Sequence, residues 1–153
     1  MAAPEERLAE LGLALPEVVA PLASYTPAVR TGDHVYISGQ VPMVDGAPAG
    51  TGKVGAGVTP ERAAELARIC ALNAIAALKS EVGELASVRR IVKITGFVAS
   101  DPSFTGQPKV LNGASDLIGE VFGEAGVHAR SAVGVAALPL DVPVEVEMIA
   151  EVG

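Results

Sequence analysis

Apolar residues recur along the chain with two different periods, and the switches between them divide it into elements. Ala63, Leu66, Ala67, Cys70, Ala74, Ala77 and Leu78 fall at helical spacing, while Glu61, Arg62, Glu65, Arg68 and Lys79 fall mostly elsewhere. Thr59-Pro60-Glu61 places an N-cap, a proline at the first helical position and an acid in the first turn, so it predicts the start of that helix. Gly83 marks its end. The stripe is built of small residues, which lets the helix lie close against a sheet. A second helix is predicted over 110–122, closed by Gly123 or Gly126.

The remaining apolar runs are β-like. Ala28-Val29-Arg30 and Val35-Tyr36-Ile37-Ser38 flank the turn Thr31-Gly32-Asp33 and predict a hairpin. Residues 88–98 are rich in β-branched side chains, and strands follow over 130–136 and 144–150, joined by a proline-containing connection. In the last strand Val144, Val146 and Met148 alternate with Glu145 and Glu147, so one face is apolar and the other acidic. A short helix over 5–13 precedes a proline-rich approach, and the glycine-rich stretch 39–57 predicts loop with a little strand. The order ββαβαββ implies an α+β fold, with two main helices on one side of a mostly antiparallel sheet.

Composition sharpens this picture. A chain of 153 residues fits one domain, and half of it is apolar although only 3% is aromatic. A mean hydropathy of +0.42 is high for so small a soluble unit, and points to apolar surface covered by another copy of the chain. Eleven Lys and Arg against eighteen Asp and Glu give a formal charge of −7. Phosphate contacts dominate nucleic-acid affinity, so this balance argues against RNA or DNA as the main partner. Arg89-Arg90 is read as a solvated strand end. The N-terminus lacks the basic and apolar regions of a signal peptide. With a lone cysteine and no apolar run long enough to span a bilayer, the expected location is the cytoplasm.

Several chemistries fail on residue type. Gly50-Thr51-Gly52-Lys53-Val54 has Ala47 where a P-loop needs glycine and Val54 where it needs Ser or Thr. Gly55-Ala56-Gly57 lacks the later glycine and the preceding strand of a dinucleotide fingerprint. His34 and His128 have no partner at metal spacing, so no metal is expected. Cys70 falls on the apolar helix stripe and is expected to be an inert small hydrophobe. Arg130 is different. It opens an otherwise apolar strand, and Glu145 and Glu147 lie on the strand that follows. A guanidinium fork can grip a carboxylate bidentately, and a nearby carboxylate can orient or deprotonate water. The same residues also allow a cross-strand ion pair between Arg130 and Glu147.

Two motifs give these residues a context. Residues 129–139, Ala-Arg-Ser-Ala-Val-Gly-Val-Ala-Ala-Leu-Pro, with Val-Glu-Val-Glu-Met-Ile-Ala at 144–150, resemble the C-terminal signature of the RidA/YjgF/UK (L-PSP) family. Tyr-Thr-Pro-Ala-Val at 25–29 and Tyr-Ile-Ser-Gly-Gln-Val-Pro at 36–42 resemble its N-terminal signature. The chain is thereby expected to divide into an N-terminal helix and proline-rich approach over 1–24 and a family-like domain over 25–153, of a longer branch. The resemblance implies a chorismate-mutase-like subunit, three copies of which pack into a trimeric barrel with clefts between subunits. It also implies cofactor-free hydrolysis of 2-imino and enamine acids, such as 2-aminoacrylate and 2-iminobutyrate, to 2-keto acids and ammonia.

On that likeness Arg130 clamps the substrate carboxylate and Glu145 positions the attacking water. Tyr25, Ser38, Gly39 and Asn112 line the cleft, and Ala132 stands where the family usually has cysteine. Small carboxylate metabolites are the implied partners. A non-catalytic trimer that binds or senses them is the alternative, and an endoribonuclease a more distant one. If the last two strands pair with residue numbers summing to an odd total, Arg130 and Glu145 share a face; an even total separates them. The sequence leaves that register open.

Overall fold

The computed structural model describes residues 2–21 and 23–153; Met1 and Leu22, both in the segment 1–24, lie outside them. The chain begins with helix α1 (Pro4–Glu10) and the hairpin β1 (Ala28–Thr31) and β2 (His34–Gln40). The glycine-rich stretch forms two minimal strand pairs, β3 (Met43–Val44) with β4 (Ala47–Pro48) and β5 (Lys53–Val54) with β6 (Gly57–Val58). Then come α2 (Pro60–Val82), β7 (Val88–Ala99), α3 (Gln107–Phe122), β8 (Ala129–Val135) and β9 (Val144–Val152). The main sheet carries the expected ββαβαββ sequence in the spatial order β1-β2-β9-β7-β8.

The α2 start follows the sequence signal: the Thr59 hydroxyl accepts from the Arg62 amide at 3.1 Å. Both helices cover one face of the sheet. Their stripes, with Leu66, Cys70, Leu78, Leu111, Leu117 and Ile118, bury against Val35, Ile37, Ile91, Ile94, Val98, Val144, Val146 and Met148. Truncating one of these large side chains to alanine costs about 2–5 kcal/mol. The helices cross backbone to backbone at Gly113, where an added Cβ would fall 2.0 Å from the Ala64 carbonyl oxygen.

The expectation that the last two strands pair with each other is corrected. β7 lies between them, parallel to β8 and antiparallel to β9. A parallel pair needs a long crossover, and α3 supplies it, so β8 is delivered to the outer edge of the sheet. β9 arrives afterwards and fills the central position between β2 and β7. The pairings through β7 fix the faces: Ile94 is opposite both Arg130 and Met148, and Phe97 is opposite both Val133 and Glu145. Directly opposed residues point the same way, so Arg130 shares the helix-covered face with Met148, whereas Glu145 lies on the open face with Phe97 and Val133. Glu147, opposite Thr95, is on the open face too, so the alternative Arg130–Glu147 pair does not form.

Candidate functional site

The open face is where four of the sequence-selected residues meet. Between Ile37 and Gln40 the pairing of β2 with β9 is interrupted by a bulge. An inserted residue breaks the alternation of the strand, so Ser38 and Gly39 both line the same cavity, of about 480 Å³. Tyr25, Glu145 and Glu147 line it with them, and Val19, Ala20 and Pro21 of the proline-rich approach form another wall. The Ser38 hydroxyl donates to the Thr26 carbonyl at 2.6 Å, which ties the Tyr25 segment to β2. Its proton is thus committed, and its lone pairs are left to accept.

Gly39 lets the Glu145 carboxylate lie against the backbone of β2. A Cβ at that position would sit 2.0 Å from Glu145 Oε1. Burial pushes the Glu145 carboxyl above its ordinary range, and the negative charge of Glu147 on the same face adds to the shift. A carboxylate made more basic in a cavity is suited to taking a proton from water. Cys70 lies on the far side of β9, donating to the Val144 carbonyl at 3.6 Å. It is fully buried, and that burial, with the Glu145 charge second, pushes its thiol well up; it has no access to the cavity.

Arg130, Asn112 and Ala132 stand apart from this cavity. The guanidinium lies over α3, where Nη1 donates to Asn112 Oδ1 at 2.9 Å and to Ser115 Oγ at 3.1 Å, and Nη2 donates to the Pro108 carbonyl at 3.3 Å. A guanidinium has five N–H donors. These bonds use three, so Nε–H and one Nη2 hydrogen have no partner among the described residues, and none of the ion pairs among them involves Arg130. Two hydrogens are what a bidentate carboxylate contact requires. Ala132, two residues along β8, is half-buried on the same helix-covered side and packs against the core.

One chain therefore carries two separate groups: Tyr25, Ser38, Gly39 and Glu145 around a cavity on the open face, and Arg130 with Asn112 at the β8 edge on the other. The sequence alone assigned no site role to Gln40, Ser115 or His128. Gln40 follows directly in the N-terminal motif, lines the cavity and is 5% exposed. Its Nε2 donates to the Ser38 carbonyl at 3.1 Å, and its Oε1 has no partner among the described residues. His128 is two residues before Arg130, the spacing that places side chains on one side of an extended chain, and that signal was available. The segment after β2 is held by buried Asn73 of α2, which donates to the Val41 and Met43 carbonyls at 3.1 and 3.2 Å.

Apolar side chains crowd the open face. Val29, Tyr36 and Val133 are 51%, 48% and 44% exposed on it. Among the described residues no group of three or more His, Cys, Asp or Glu side chains could hold a metal ion, and no helix is long and apolar enough to cross a membrane.

The whole chain is similar to known proteins. Residues 5–152 match the family described as "YjgF/chorismate mutase-like, putative endoribonuclease". Protein TCP17 of Trypanosoma cruzi is 46% identical over 145 residues, covering 94% of this chain and 91% of that protein. A crystal structure from Agrobacterium tumefaciens, of a protein with unknown function, is 46% identical with a TM-score of 0.92, covering 98% of this chain and 92% of that one. Escherichia coli TdcF with bound serine is 27% identical with a TM-score of 0.61, covering 90% and 93% of the two chains.

Proposed function

Because the chain belongs to the YjgF/chorismate mutase-like family, we propose that it hydrolyses small 2-imino and enamine acids to 2-keto acids and ammonia, in a cleft completed by two copies of itself. The carrying observation is the placement of an acceptor-held guanidinium with two unused hydrogens and a proton-hungry carboxylate on opposite faces of one sheet. No single copy can bring them together, but the edge of one subunit laid against the open face of the next can. A closed trimer with the open faces turned inward also covers Val29, Tyr36 and Val133, the apolar surface that the hydropathy of the chain required to be covered. A relative solved with serine in place, a small amino acid with a carboxylate, supports the ligand class.

The chemistry balances without a cofactor. Arg130 of one copy holds the substrate carboxylate. Water adds to the electrophilic imine carbon as Glu145 of the neighbouring copy takes its proton, giving a carbinolamine. Glu145 returns that proton to the nitrogen, which completes the neutral carbinolamine; it then takes the hydroxyl proton and passes it to the amine, so that the C–N bond breaks and ammonia leaves as the C=O forms. Ser38, with its proton already given to Thr26, can accept from the substrate N–H. Glu145 and Glu147 in the same cavity repel phosphate, which weighs against an endoribonuclease.

The test is a coupled assay: a dehydratase generates 2-iminobutyrate from threonine, and release of 2-ketobutyrate is followed with and without this protein. Acceleration is expected, with Arg130→Ala losing about 10²–10³-fold in kcat/KM, the loss of a charge-assisted bidentate contact. Measurable binding of 2-ketobutyrate without acceleration favours a carboxylate sensor instead. An Arg130→Ala protein as active as wild type ends the clamp.

A further inference from the structure

Arg130 is the front end of a chain of hydrogen bonds that runs back into the fold. Ser115 Oγ accepts from Arg130 Nη1 at 3.1 Å and lies 2.9 Å from His128 Nε2. On the other side of the ring, His128 Nδ1 lies 2.6 Å from the Gly126 carbonyl oxygen. Each contact limits the next. A carbonyl oxygen only accepts, so Nδ1 must carry the hydrogen; in the neutral ring Nε2 is then an acceptor. The Ser115 oxygen is engaged by a guanidinium that only donates, so its hydroxyl hydrogen is directed to Nε2. Donor and acceptor roles are consistent from end to end: Arg130 to Ser115, Ser115 to His128, His128 to Gly126.

The far end is fixed. Gly126 is buried, and a Cβ on it would lie 2.6 Å from the Ile118 carbonyl oxygen, so the backbone that receives the imidazole is pressed against α3. His128, Arg130 and the Gly126 carbonyl come from one short stretch of chain leading into β8, and Ser115 reaches them from α3. Asn112 stands one helical turn before Ser115 and takes the other Nη1 hydrogen, so two side chains of α3 set the tilt of the guanidinium plane.

We propose that His128, held as the Nδ1–H tautomer, is a positioning residue that acts through Ser115 to fix the Arg130 guanidinium in the orientation that accepts a substrate carboxylate. This rests on Arg130 being the carboxylate clamp. A bidentate contact tolerates little rotation of the fork, so an unfixed guanidinium binds carboxylates more weakly although its charge is unchanged.

Two measurements on the full chain test this. Long-range 15N–1H NMR at pH 8 reads the tautomer of each histidine directly, and His128 is expected as neutral Nδ1–H. Titration calorimetry with 2-ketobutyrate reads the clamp without requiring turnover. Ser115→Ala and His128→Ala are each expected to weaken binding on the order of tenfold, and the double variant no further, because both interrupt one chain of bonds. His128→Gln, which keeps an acceptor facing Ser115, is expected to recover most of the loss, with thermal unfolding confirming that all variants fold. An Nε2–H tautomer at His128, wild-type binding in Ser115→Ala, additive losses in the double variant, or a His128→Gln no better than His128→Ala each overturn the proposal. Failure of the clamp itself looks different: Arg130→Ala then binds 2-ketobutyrate as wild type does, or wild type does not bind it at all.

Discussion

Arg130 and Glu145 occupy the same sheet under opposite conditions. Around Arg130 the chain supplies most of what the group needs: α3 offers three acceptors, and two of the five N–H groups are left over. Around Glu145 the chain is incomplete. Desolvation and the Glu147 charge both oppose ionisation, and no cation pairs with Glu145 among the described residues. A group left at such a disadvantage lowers stability, and proteins tolerate it where a basic carboxylate has work to do. The helix-covered face is packed into the fold except at its Arg130 edge, while the open face exposes apolar side chains beside an acid whose ionisation is opposed.

The sharpest way to break this contrast is to put the two groups on different polypeptides. Glu145→Gln is expected to lower kcat about 10²–10⁴-fold in the coupled assay, the usual range for a removed general base. Arg130→Ala is expected to lose activity for its own reason, the missing carboxylate contact. Co-expressed, the two variants should regain activity at about a quarter of the sites if copies assort at random, because some interfaces then pair an intact arginine with an intact glutamate. No recovery in verified mixed oligomers means that the groups do not meet across copies.

Gly39→Ala is next in size. Its methyl group must push the Glu145 carboxylate aside, so kcat should fall about 10–100-fold, the penalty of a misplaced reacting group. The atom displaced is the flexible end of a side chain and the strand register is untouched, so the melting temperature should move little. A large loss of stability instead shows that Gly39 serves the fold rather than the site.

Smaller effects concern protonation. In the proposed mechanism hydrolysis requires ionised Glu145, so kcat/KM should rise with pH through an apparent pKa above that of an ordinary glutamate. Glu147→Gln removes the second cause of the shift and should move that limb to lower pH, leaving the part due to burial. An unmoved limb disconnects the profile from this pair. The same shift predicts the smallest effect. With the folded pKa above the unfolded one, ionised Glu145 costs stability at neutral and higher pH, and the cost vanishes as pH falls through the folded pKa. Glu145→Gln should therefore raise the melting temperature by about 1–3 °C at pH 8 and gain nothing at low pH.

Much of the fold could be read from the sequence because its signals are local. Thr59-Pro60-Glu61 and Gly83 bracket α2 to the residue, and the alternation of Val144, Val146 and Met148 with Glu145 and Glu147 is the burial pattern of β9. Strand order is not local. The last two strands are consecutive and look like a pair, yet β7 separates them, because α3 carries β8 to the edge before β9 is placed. The faces of Arg130 and Glu145 follow from that third strand, which no pattern within either strand encodes. The bulge at Ser38-Gly39 was equally hidden: a glycine in a strand signals an irregularity, but not which side chains it turns together. His128 has no partner at metal spacing in the sequence, and its bond to Ser115 depends on how the turn after α3 folds back.

Because Arg130 lies on β8 at the sheet margin, on the face away from the cavity its own chain builds, the proposed mechanism makes dilution a chemical variable. In the proposed mechanism a solitary subunit, however well folded, holds a grip with nothing to act on its cargo and a base with nothing to hold the cargo still. Output per molecule should stay constant until the concentration falls below the point at which subunits part, and then decline steeply with each further dilution.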